Sequence, residues 1–213
     1  MIIRRLLLGD WHPWLRDPID LLRWTLVAGA LVFALAGDTD GVWLLGGAAV
    51  LAWAVRPVLL PRPYDFAVVL ALALQAWGEA LGLYDSIEWF DNVVHFSLPF
   101  FFGPTLYIVL ARLDLVPDPK DETHLRHYIG MAIVAFSFGV ALGGLWELWE
   151  YFSDRTLGSS LQIDNADTIG DLAADSLGSL FGALLLVCWA RWGWGSVRRI
   201  PASQVPSRAS RTA

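Results

Sequence analysis

Six stretches of this chain are apolar for long enough to cross a lipid bilayer, which takes about 20 residues of helix apiece. No other feature limits the fold as much. They run roughly 19–36, 41–60, 64–84, 92–111, 128–151 and 168–192. Between them lie turn-forming residues: Gly37-Asp-Thr-Asp-Gly41, Pro57 with Pro61-Arg-Pro63, the acidic 85–91 link, Pro117-Asp-Pro119 and the Gly/Ser/Asn-rich 158–167 loop. The expected fold is therefore all-α, a polytopic membrane protein with six transmembrane helices in a bundle. Residues 1–192 form its single domain, and no strand is needed anywhere. From Gly193 onward the chain turns to Arg, Ser and Pro without periodicity, so 193–213 reads as a disordered cytoplasmic tail.

Composition excludes most other classes. The chain is 56% hydrophobic and only 17% charged, against about 25% charged in a typical soluble domain. Its twelve tryptophans suit many helix ends anchored at lipid headgroups. With a net charge of −6 and no lysine/arginine stripe, nothing here can track a nucleic-acid backbone. Membrane lipids are the expected partners. The single cysteine, Cys188, lies in an apolar run and reads as a small core residue.

Lys and Arg accumulate on the cytoplasmic side of short membrane loops. Fourteen of the fifteen basic residues fall on one side of the six-helix arrangement, and Arg155 alone falls on the other. Both termini are thus expected in the cytoplasm of a bacterial cell whose inner membrane the chain crosses. The loops at 37–41, 85–91 and 152–167 then face outward. A rival reading makes the first run a secretory signal cleaved near Ala34-Leu-Ala36, but its leading region would be long and would contain Asp10, Asp17, Pro18 and Asp20.

The acidic residues follow the opposite distribution. Glu79, Asp91, Glu147, Glu150, Asp167, Asp171 and Asp175 fall in or beside the outer halves of the last four runs, together with His95. An ionised carboxylate inside a bilayer costs about 2.5–3.5 kcal/mol, so several together require a reason. Helical spacing gathers them: Asp91 and His95 are four apart, Glu147 and Glu150 three, and Asp167, Asp171 and Asp175 form a stripe at intervals of four. That stripe continues as Gly178 and Gly182. Glu147 is preceded on its own face by Ala135, Gly139 and Gly143. Small residues at this spacing let membrane helices approach closely, and the fifth and sixth helices are expected to pack there with their acids facing.

Carboxylates with one imidazole suit a divalent cation, Mg, Mn, Ca, Fe or Zn, which would relieve the repulsion among the acids. Asp91, His95, Glu147, Asp171, Asp175 and Asp167 are the candidate ligands, and Glu150 or Glu79 the candidate general base. Plainer roles stand beside these. Asp91 suits a helix N-terminus with His95 as its partner. Glu147 and Glu150 can snorkel beside Trp146 and Trp149. Glu79, four after Gln75, can be a protonated hydrogen-bonding acid. Asp38, Asp40, Asp85, Glu88 and Asp154 read as solvated loop charges. No HExxH, CxxC, P-loop or GxSxG triad is present.

The blocks Asp91-Asn-Val-Val-His95-Phe96, Gly144-Leu-Trp-Glu147-Leu-Trp-Glu150-Tyr, Gln162, and Asp167-Thr-Ile-Gly-Asp171-Leu-Ala-Ala-Asp175-Ser-Leu-Gly178 occur in that order. In them the chain resembles the YjdF-type bacterial inner-membrane proteins, which are similar in turn to the VanZ-like family. The resemblance covers about residues 65–182. Glu150 stands where the VanZ-like pattern has Gln, and Asp175 where it has Asn, which favours the YjdF-type branch. It implies a site without naming a reaction. Three functions fit: a membrane-embedded metal-dependent hydrolase or transferase acting on a lipid-linked or envelope substrate, an ion- or proton-coupled transporter, and a non-catalytic scaffold held by a polar network.

Overall fold

The computed structural model describes residues 14–15, 17–58, 60–113, 115–117, 125–159, 161–162 and 164–192. The expected tail at 193–213 lies outside them. Seven α-helices, and no strand, make up the described residues: α1 (Pro18–Ala36), α2 (Thr39–Val55), α3 (Arg62–Ala80), a short α4 (Leu83–Ser86), α5 (Phe90–Arg112), α6 (Leu125–Thr156) and α7 (Asn165–Arg191). Local chemistry sets their ends. Asp17 caps α1 by accepting from the Ile19 N–H, with Pro18 in the first turn, where its missing donor costs nothing. Gly37, at φ 78°, ends α1 in the left-handed conformation that glycine adopts freely. Asp38 then caps α2, so two residues make the hairpin. The second helix stops at Val55, short of the sequence expectation, because Pro57 and Pro61 break the ladder and leave a 3-10 turn at Arg56–Val58.

Five helices, α1, α2, α5, α6 and α7, are long and apolar enough to cross a membrane. The chain is a multi-pass membrane protein. α3 is less uniformly apolar, since it carries Arg62, Asp65 and Glu79 within 19 residues. Large apolar side chains such as Leu31, Leu35, Trp43, Ile133 and Leu145 point outward, as lipid-facing positions should.

The helices form two trios. In the first, α1 packs on α2 and both pack on α3; in the second, α5, α6 and α7 pack against one another in all three pairs. Contact between α3 and α5 joins the trios. These two helices are antiparallel. A side chain at Gly78, near the end of α3, would strike Phe90 at the start of α5, while Arg112, ending α5, donates to the Val58 carbonyl just before α3. Each trio therefore gathers the start of its first helix, the end of its second and the start of its third at one end, and those two ends lie on opposite sides of the bundle.

Glycine lets the second trio close. A Cβ at Gly139 would collide with Ser179 of α7, and one at Gly143 with the Asp175 carboxylate, as the spacing of small residues on the fifth run predicted. Gly178 and Gly182 serve a different contact from the one expected. They admit the backbone of α5 at Phe96 and Phe100. Pro104, inside α5, removes the donor that would normally bond Phe100 O, the carbonyl that faces Gly182.

Candidate metal centre

Asp91 and His95 lie in the first two turns of α5, Glu147 and Glu150 in the last third of α6, and Asp171 and Asp175 in the first three turns of α7. The trio brings all three pairs to one end. The His95 imidazole stands in the middle. Its Nε2 is 3.5 Å from Asp91 Oδ1, while Nδ1 is 3.3 Å from Asp175 Oδ1 and 3.8 Å from Glu147 Oε1. Two groups of possible ligands result, Asp91 with His95 and Asp171, and His95 with Glu147 and Asp175. Within each, one ligand atom per residue lies within 4.8 Å of the others.

The second group is the deeper. His95, Glu147 and Asp175 are exposed by 4%, 6% and 2%. Glu147 Oε1 and Asp175 Oδ2 are buried and have no hydrogen-bond partner. A buried acceptor left in this state forfeits its hydration without compensation. Asp91 is more open, with about a third of its side chain exposed.

The remaining candidates stand around this core rather than in it. Glu150 is buried and accepts from Trp146 Nε1 at 2.8 Å, which engages one of its oxygens. Asp167 is half-buried on the same stripe as Asp171, outside both ligand groups. Glu79 is exposed at the end of α3 and also outside them. Beside it, Tyr84 of α4 donates to Gln75 Oε1, and burial together with the Asp91 charge holds its phenol above the ordinary range.

Two features were not anticipated from the sequence. Asp154, read as a solvated loop charge, organises the loop between α6 and α7. It accepts from Ser159 Oγ at 2.6 Å, from the Leu161 N–H at 2.8 Å and from the Gln162 N–H at 3.0 Å. Gln162 is thereby held over the centre, its amide 3.2 Å from Thr168 Oγ1 and 3.5 Å from Glu147 Oε2.

The other feature lies at the far end of the bundle. Arg23, fully buried in α1, donates from Nη1 to Asp20 Oδ1 at 2.9 Å, from Nε to the Ala52 carbonyl at 2.9 Å, and from Nη2 to Asp65 of α3. Arg56 adds a two-pronged pair to Asp20, at 3.0 and 2.9 Å. Arg62 lies 3.7 Å from Asp17. The sequence signal was an arginine three residues after an aspartate inside an apolar run, a pair that shares one helix face.

Residues 21–192 match the family described as "Predicted membrane protein (DUF2238)", and the chain belongs to that family. It is also similar to an uncharacterised protein of Thermotoga maritima, at 30% identity over 102 residues, 47% of this chain and 49% of that one. The chain thus spans about half the length of this curated relative. No solved structure matches.

Proposed function

Starting from membership of a membrane-protein family whose description states no reaction, we propose that this protein binds a divalent cation through His95, Glu147 and Asp175, with Asp91, Asp171 and Asp167 around them. It uses the ion on a lipid-linked or envelope substrate as a hydrolase or transferase. The observation that carries the reading is the pair of unpartnered buried oxygens, Glu147 Oε1 and Asp175 Oδ2, beside His95. A cation supplies the partner both lack. Its chemistry, when bound, is to activate water or polarise a phosphoryl or carbonyl oxygen.

Comparison within the molecule supports the same reading. At the far end, Asp17, Asp20 and Asp65 meet three guanidinium groups, those of Arg23, Arg56 and Arg62. At the candidate centre, Asp91, Glu147, Asp171 and Asp175 surround one imidazole. Even a protonated His95 offsets a single charge. Glu150 remains the better-placed general base, since Glu79 is exposed at the rim.

In this reading α3 is the sixth span. Its 19 residues rise about 28 Å, close to the hydrocarbon thickness of about 30 Å, with Asp65 and Glu79 near its two ends. The basic residues then put both termini in the cytoplasm and the cation site at the outer face of a bacterial inner membrane.

The test is the thermal stability of metal-stripped protein in detergent. A ligand at a hundredfold excess over its dissociation constant adds about 2.7 kcal/mol, or roughly 5–10 °C for a chain of this size. His95→Ala and Asp175→Asn should abolish most of that gain, and Glu88→Gln, in the exposed link before α5, should keep it. If Mg, Mn, Ca, Fe(II) and Zn all leave stripped protein unchanged and none co-purifies, the cation reading fails. Ion flux into liposomes without any change in lipid headgroups would favour the transporter, and neither result the scaffold.

A further inference from the structure

Between the end of α6 and the start of α7 lies a cleft of about 650 Å³ with Glu147 among its lining residues. On the α6 side Glu147, Tyr151 and Arg155 line it at successive intervals of four, so they form one ridge. Leu148 beside them and Leu172 across from them on α7 make apolar walls. Leu148 is 64% exposed, so an apolar surface borders the cleft on the outside of the bundle.

Three carboxylates, Glu147, Asp154 and Asp164, and one guanidinium, Arg155, line this cleft, and each carboxylate has partners within the protein while, among the described residues, the guanidinium has no carboxylate of its own. Asp154 is engaged by the loop hydrogen bonds described above, and Asp164 Oδ1 accepts from the Ala166 and Asp167 N–H groups as the cap of α7. Glu147 faces His95. Arg155, the one basic residue on the outer side, lies over the Tyr151 ring at 5.1 Å, and among the described residues it has no ion pair. Tyr151 supports the flat face of the guanidinium, leaving its N–H edge available to a carboxylate or phosphate.

We propose that this cleft binds an amphiphile of the outer leaflet, with an anionic phosphate or carboxylate headgroup on Arg155 and its apolar part against Leu148 and Leu172. The inference deepens the reading of the cation site, on which it rests for the side of the membrane. Arg155 is eight residues beyond Glu147, about 12 Å along the helix, so a headgroup held by the guanidinium sits between the aqueous surface and the ion-binding carboxylates. The substrate class is then an anionic lipid or lipid-linked phosphate.

Thermal shifts of the whole protein in a non-ionic detergent test this, with dihexanoyl phosphatidylglycerol, dihexanoyl phosphatidylcholine and inorganic phosphate as probes. The anionic lipid should raise the melting temperature at concentrations where the zwitterionic lipid and phosphate alone have little effect. Arg155→Gln should weaken the response about tenfold or more, as loss of a charge-assisted hydrogen bond does, and Arg155→Lys should restore part of it. Because Arg155 is exposed, the unliganded melting temperature of these variants should not move, and a large fall would show a structural role instead. An equal response in wild type and Arg155→Gln overturns the proposal. An equal response to phosphate alone overturns its lipid half. Running the series on stripped and metal-loaded protein separates the two claims: a lipid shift that needs Arg155 while no metal binds sinks only the cation reading.

Discussion

Replacing Arg23 by Met keeps most of its apolar stem and removes the charge. The guanidinium is fully buried and ties three helices at once, to Asp20 within α1, to the Ala52 carbonyl of α2 and to Asp65 of α3. Asp20 retains Arg56, but both carboxylates lose a buried counter-charge. Breaking one side of a buried ion pair destabilises by about 3–5 kcal/mol, which for a chain this long lowers the melting temperature by roughly 6–20 °C. Scanning calorimetry or circular dichroism of the detergent-solubilised protein reads this directly. A double substitution, Arg23→Met with Asp65→Leu, should recover much of the loss, since exchanging a whole buried pair for apolar groups is often neutral. The coupling between the two sites in a double-mutant cycle should then exceed about 1 kcal/mol. A single-variant loss under about 1 kcal/mol, or strictly additive effects, would refute the claim that this cluster fastens the first trio.

Gly143→Ala should drive a methyl into the Asp175 carboxylate and abolish metal-induced stabilisation while costing about 1–3 kcal/mol by overpacking, measured by melting with and without metal. His95→Arg places a resident cation among the acids; the variant should lose its stability response to added metal, checked by the same melts and by metal analysis. Asp154→Ala releases three hydrogen bonds of the α6–α7 loop. It should shift the metal titration to higher concentration without abolishing it, because Gln162 loses its support. A cysteine at Asp38 or Ser159, in a Cys188→Ser background, should react with a membrane-impermeant thiol reagent on intact cells. Labelling only after lysis would reverse the orientation.

The helices were legible because lipid leaves few alternatives. Run length, proline and glycine placed α1, α5, α6 and α7 to within a few residues at most of their ends. α2 ended early, since the apolar run continues through Val58 to Leu60 past the 3-10 turn that Pro57 imposes. The meeting of Asp91, His95, Glu147, Asp171 and Asp175 was also readable, because each pair shares a face and each lies at the same end of its helix. What spacing could not supply was depth and pairing. Glu79 and Glu147 look alike as acids near a helix end, but one is exposed and the other buried, a difference set by which neighbouring helix covers them. Asp154 looks like any loop acid, and its role depends on a chain reversal five to eight residues later. Arg23 was read only as a charge counted for orientation, although Asp20 three residues earlier shares its face, and its burial depends on Asp65, forty-two residues away.

The two polar clusters answer one electrostatic problem in different ways. Both gather acids where three helix ends meet, and both would be costly in lipid without compensation. In the first trio compensation is built into the chain, because Arg23 and Arg56 reach Asp20 and Arg23 reaches Asp65. Such a cluster is complete, with its charges turned toward one another. In the second trio the bundle closes as tightly, with Gly143 admitting the Asp175 carboxylate against α6, yet the central group is an imidazole and two acceptor oxygens stay unpartnered. A scaffold needing only cohesion would be served by the first arrangement at both ends. The second leaves its central acids, among the described residues, without a guanidinium partner beside the cleft that Glu147 lines, and that contrast with the self-compensated cluster is what the proposed cation site rests on.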